Sequence, residues 1–178
     1  MINRPEWAEK TPAMKDYYDH YWGLAQHDER RLFEMLCLEC LQSGLNWALV
    51  WQKRPALLKA YQGFDPEKLA QFGEKEVAPL LSDPALIRNR LKVKAILNNA
   101  RILTEWYRQG KSLNDFTWSF TDGKQIRMEP VAGLPLPAKT PLSERVAEEF
   151  KRAGFKFTGP VVVMSYLLAV GVINARNE

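Results

Sequence analysis

A chain of 178 residues, 46% hydrophobic and 26% charged, can enclose a proper core, which excludes a disordered protein. Its formal charge of +4 permits a polyanionic partner without requiring one. The opening "MINRPEWAEK" is polar where an export signal would be apolar, and the run from Pro160 to Ile173 is too short to span a bilayer, so a cytoplasmic location without a membrane partner is expected.

In chain order, Trp7, Tyr17, Tyr18, Tyr21 and Trp22 crowd an otherwise polar and weakly periodic N-terminal arm. Their rings either pin the arm onto helices or form a cage of π-faces for a flat or cationic ligand. Asp28 is a suitable N-cap for "ERRLFEMLCLECLQS", which Gly44 terminates. Phe33, Leu36, Cys37, Cys40 and Leu41 recur on one face of that helix. Cys37 and Cys40 are the only cysteines; the two histidines, His20 and His27, lie upstream of them and seven apart, with no second C-x-x-C, which leaves little room for a zinc site built from two spaced pairs. A redox C-x-x-C opens a helix after a strand, whereas this pair lies within a helix, so both thiols read as small core hydrophobes. Glu39 lies between them on a half-apolar flank, either solvated or available to a ligand.

Asn46 caps "WALVWQKR", which Pro55 interrupts or kinks before "ALLKAYQ" ends at Gly63. Asp65-Pro66-Glu67 combines a cap, a proline at the first helical position and an acid in the first turn. The same device recurs at Asp83-Pro84, and its cap-plus-proline part at Thr140-Pro141. "IRNRLKVK" gathers Arg88, Arg90, Lys92 and Lys94 at a turn between two helical patterns, as a solvated helix start or a phosphate grip. A long amphipathic helix then closes at Gly110. Residues 121–139, rich in proline and glycine, form the long irregular connection. Traces of period-two alternation appear only near "TWSF" and "GFKF". The expected fold is all-α, with about nine short helices.

Several of these segments, in order, resemble the 3-methyladenine DNA glycosylase I family: "LFEMLCLECLQSGLNW", "LIRNRLKVKAILNNAR", "FTWSF", "PLSERVAEEFKRAGFKFTGP" and "MSYLLAVGVIN". The resemblance implies a compact all-α fold of the helix-hairpin-helix glycosylase superfamily, occupying 1–178 as a single domain. In it the arm 1–27 packs with the C-terminal helices 140–178, and a DNA-gripping region covers about 66–109. It implies a monomeric repair enzyme that flips an alkylated purine, foremost N3-methyladenine, out of double-stranded DNA and hydrolyses its N-glycosidic bond. The base-binding pocket carries over as Trp7, Tyr17, Trp22 and Trp47, with Glu39 as the catalytic-site carboxylate that recognises the base. Gly44 and Leu45 match the segment that approaches the gap left by the flipped base. Arg88, Arg90, Lys92 and Lys94 match the backbone grip.

The family's four zinc ligands do not carry over. Pro5 and Tyr18 stand at the first two positions, and after "GVIN" the chain reads Ala-Arg-Asn-Glu in place of a His/Cys pair. No cofactor and no metal ligand are therefore expected. Met14 and Tyr21 also replace a tyrosine and a glutamate of the family pattern. These changes leave two alternatives to an active 3-methyladenine enzyme: a shifted lesion preference, or a catalytically silent protein that binds lesion-containing DNA.

Overall fold

The structure is a computed structural model describing residues 2–177. It is built from α1 (Glu6–Glu9), α2 (Pro12–His20), α3 (Glu29–Gln42), α4 (Trp47–Ala60), a 3-10 turn (Gln62–Phe64), α5 (Pro66–Leu69), α6 (Glu74–Ser82), α7 (Arg90–Arg108), α8 (Leu113–Ser119), β1 (Ile126–Arg127), α9 (Pro141–Arg152), α10 (Pro160–Ala169) and β2 (Ile173–Asn174). The caps do local work at the helix starts. Asp28 Oδ1 accepts from the Arg31 N–H at 3.0 Å, Asn46 Oδ1 from Ala48 at 2.8 Å, and Thr140 Oγ1 from Ser143 at 3.2 Å. Each satisfies a first-turn donor that the helix itself cannot.

Three local expectations are revised. Pro55 does not interrupt α4, which runs through it to Ala60. Asp83-Pro84 starts a turn rather than a helix. Asp83 Oδ1 accepts from Ala85, and burial of Leu86 and Ile87 then draws the chain inward until Asn89 caps α7. "TWSF" lies mostly in α8 and "GFKF" in the α9–α10 connection, while the strands form elsewhere as a two-residue parallel pair, Ile126 with Ile173 and Arg127 with Asn174.

The centre of the fold is α3, whose residues 32–41 are all buried. A helix buried on every side belongs in the middle of a core, and α4, α7, α8 and α10 surround it. The N-terminal arm closes over one end. Gly23 N–H donates to the Leu168 carbonyl and Gln26 N–H to that of Val170, both at 3.0 Å. At Gly171, with φ +75°, a Cβ would lie 2.4 Å from the Leu24 carbonyl, so only glycine permits this approach. The most extensive helix-to-helix packing joins α9 and α10 across the short hairpin 153–159.

Candidate active site: an aromatic pocket around Glu39

The last full turn of α3 carries Glu39 to the place where the arm meets α4 and α10. Trp7 from α1, Tyr17 from α2, Trp22 from the following turn and Trp47 from the start of α4 converge on it, and all five line one cavity of about 250 Å³. The rings brace one another edge to face or tilted: Trp7 to Trp22 at 5.4 Å, Trp7 to Tyr17 at 6.2 Å and Tyr17 to Trp47 at 5.0 Å between centroids. The arm's aromatics thus both pin it down and wall a cavity, so the two sequence readings are not exclusive. Gln42, Leu136, Ser165 and Leu168 complete the lining. Sequence reasoning misses these four, because such ordinary residue types carry no signal until the fold brings them together.

Glu39 is only 4% exposed, and its carboxyl makes no hydrogen bond or ion pair among the described residues. Burial pushes its pKa up to about 8. The Tyr17 phenol is raised well above its ordinary value, first by burial and then by the nearby Glu39 charge. A carboxyl left without a protein partner inside a lined cavity is prepared to meet a hydrogen-bond donor or a cation from outside. A larger cleft, about 650 Å³ beside Asp28, Arg30, Asp65, Glu67 and Tyr107, has no buried carboxyl of this kind, Glu67 being exposed. There Arg30 pairs with Asp65 at 2.9 Å, and Glu29 accepts from the Tyr107 hydroxyl at 2.9 Å.

Behind the pocket, Trp51 packs 4.6 Å from Tyr17, and the Arg54 guanidinium lies 4.8 Å over Trp51 and 5.3 Å over Tyr21. Arg54 Nε donates to the buried Glu34 carboxylate at 2.5 Å. Tyr21 therefore acts from outside the lining. Met14 and Tyr18 are also buried away from the cavity wall.

Directly after α3 the chain turns at Gly44, whose φ of +77° suits glycine, and presents Leu45 at 38% exposure. Arg88, Arg90 and Lys94 are exposed, the last two within 3.4 and 3.6 Å of Glu74. Lys92 departs from its expected place in that basic group. It is 5% exposed, and its ammonium donates to the backbone carbonyls of Leu41 at 2.7 Å and Ser43 at 2.5 Å. Two residues apart on a helix is roughly 200°, so Lys92 points away from the face that Arg90 and Lys94 share.

The donor set at the family's zinc positions does not suit the ion. Pro5 offers no ligand atom. The Tyr18 hydroxyl is already engaged, donating to the Asn3 carbonyl at 3.3 Å and accepting from Asn177 N–H at 3.0 Å. Arg176 lies 4.2 Å over the Tyr18 ring and donates to the carbonyls of Trp22, at 2.6 Å, and Tyr18. No group of three His, Cys, Asp or Glu among the described residues could hold a metal ion.

The architecture is that of 3-methyladenine DNA glycosylase I. A crystal structure of such an enzyme superposes with a TM-score of 0.93 at 37% identity, covering 97% of this chain and 94% of the other. A crystal structure of a variant glycosylase I in complex with 3-methyladenine superposes equally well, at 30% identity over 99% of this chain and 95% of its own. DNA-3-methyladenine glycosylase 1 of Escherichia coli strain K12 is 34% identical over 173 residues, 97% of this chain and 92% of that protein. The methyladenine glycosylase family model matches residues 7–178, and the chain belongs to that family.

Proposed function

We propose that the protein is a DNA repair glycosylase that flips an alkylated adenine, foremost N3-methyladenine, into the Glu39 pocket and hydrolyses its N-glycosidic bond. The observation that carries this reading is the unpartnered, buried Glu39 carboxyl among four aromatic walls. N3-alkylation makes adenine cationic. Aromatic faces attract that cation, and the base supplies both the positive charge and the amino donors that the carboxyl lacks in the free protein. As the bond from C1′ to N9 breaks, the electron pair leaves with the base, which becomes neutral. Positive charge develops on the sugar, and water adds there with loss of a proton. The leaving group is good from the start, so a pocket that only orients and recognises the base needs to supply little barrier reduction, each 1.36 kcal/mol being worth about tenfold.

Met14, Tyr18 and Tyr21 lie outside the pocket lining, which favours an active enzyme over a silent lesion-binding relative. In this reading Leu45 enters the gap left by the flipped base, and Arg88, Arg90 and Lys94 hold phosphates. The exposed Lys156 and the α10 start at the 153–159 hairpin offer a second backbone contact. Residues 1–178 work as one domain, monomeric and cytoplasmic. The termini are held by the Tyr18–Arg176 contacts, without zinc.

The test is to incubate methylated genomic DNA with the protein and identify freed bases by mass spectrometry. Release of 3-methyladenine supports the proposal. Release of a different alkylpurine alone would shift the lesion preference, and tight duplex binding with no release would make the protein a silent binder.

A further inference from the structure

The carboxyl end of α3 is occupied by a cation from a different helix. The last carbonyls of any helix lack intrahelical partners, and positive charge there is favourable. Here Lys92 Nζ donates to Leu41 O and Ser43 O, at 2.7 and 2.5 Å, on either side of the point where α3 ends. One residue later comes Gly44, then the exposed Leu45. The same turn is held from within by Gln42. Its Nε2 donates to Leu45 O at 2.9 Å, its carbonyl accepts from Leu45 N–H at 2.6 Å, and its side chain lines the Glu39 cavity. Lys92 sits in the first turn of α7, where Asn89 Oδ1 accepts from its N–H at 3.1 Å. Arg90 and Lys94, on the same stretch of α7, are exposed.

We infer that Lys92 is a positioning residue that locks the Gly44–Leu45 turn to the start of α7, so that the wedge and the phosphate-holding face meet DNA as one rigid unit. This rests on the proposed glycosylase function. Burying an ammonium is costly unless it is hydrogen-bonded. Two backbone acceptors satisfy it and leave the turn little freedom. Glu39 and Gln42 lie in the same helix end, so the lock also fixes the pocket floor relative to the wedge. Without Lys92 the pocket keeps its aromatic walls while the turn loses its outer anchor. Base extrusion from a stacked duplex then suffers, and recognition of an already accessible base does not.

The experiment compares single-turnover release of 3-methyladenine from methylated duplex DNA with release from the same DNA made single-stranded, where no stacked partner strand must be wedged apart. Lys92→Met is expected to slow the duplex reaction about tenfold or more and the single-strand reaction less than about threefold, with binding of free 3-methyladenine retained. In a Leu45→Ala background, Lys92→Met is expected to add no further duplex-specific loss, since both act through one turn. Lys92→Arg, which keeps charge and donors, should recover part of the duplex rate. Should Lys92→Met fail to fold, Lys92→Gln carries the comparison. Equal losses on both substrates, or additivity with Leu45→Ala, would overturn the inference. A wild-type protein that releases no base from either substrate would refute the functional reading itself.

Discussion

Replacing Glu39 by glutamine should stabilise the folded protein at pH 8 while leaving it nearly unchanged at pH 5. The carboxyl is deeply buried, and burial holds its folded-state pKa at about 8 against an ordinary 4.5. Between those values the folded chain keeps a proton that the unfolded chain gives up, so stability falls as pH rises through the window. The full contribution is present below pH 4.5 and gone above about pH 8. Integrated from about pH 5 to about pH 8, the loss is roughly 3–4 kcal/mol, a large part of a typical total of about 5–15 kcal/mol. The effect is read most cleanly as the difference between wild type and Glu39→Gln, because every other titrating group is common to both proteins. Urea unfolding followed by tryptophan fluorescence at half-unit pH steps gives the two curves. They should converge near pH 5 and separate steadily to pH 8, with the variant above. Parallel curves would show that Glu39 ionises at an ordinary pH in the folded state, and would remove the buried, unpartnered carboxyl from the argument.

Other consequences are independent of that one. Arg176→Ala removes a guanidinium stacked on Tyr18 and its bonds to the Trp22 and Tyr18 carbonyls. It should cost about 2–4 kcal/mol in denaturant unfolding and raise KM through the displaced Trp22; an unchanged unfolding midpoint would contradict this role. Arg88→Ala should lower the slope of log K against log salt for duplex DNA by about one, whereas Lys92→Met should leave that slope unchanged because its ammonium does not face solvent. Burial pushes the Cys40 thiol up to about 12 and raises Cys37 well above its usual range. Neither should react with a disulfide reagent at pH 8 until the protein unfolds, which a spectrophotometric thiol titration reads directly.

The features legible in the sequence are those fixed by neighbours in the chain. The Asp28, Asn46 and Thr140 caps act within three residues of themselves, and each starts its helix as expected. The cap-plus-proline pattern at Asp83 is just as local, yet no helix follows, because burial of Leu86 and Ile87 decides the path. α1 and α2 have little periodicity of their own; Trp7 of α1 packs on Tyr17 of α2, and Tyr17 in turn packs on Trp47 and Trp51 of α4. Proximity in sequence groups Lys92 with Arg88, Arg90 and Lys94, although helical geometry already separates it from Arg90 and Lys94. Gln42, Leu136, Ser165 and Leu168 come from three separate segments and meet only at the pocket. Glu39 stands out in the sequence between two cysteines on a half-apolar flank, and its burial at the pocket wall follows from a core that wraps α3 on all sides.

The most direct test of the account is the single-turnover rate of 3-methyladenine release from methylated duplex DNA by wild type and by Glu39→Gln, measured with the affinity of each for undamaged duplex. The account predicts release by the wild type, a loss of about tenfold or more in the variant, and equal duplex affinity for both. Equal release by the two proteins would contradict the role given to Glu39, and with it the reading of the pocket.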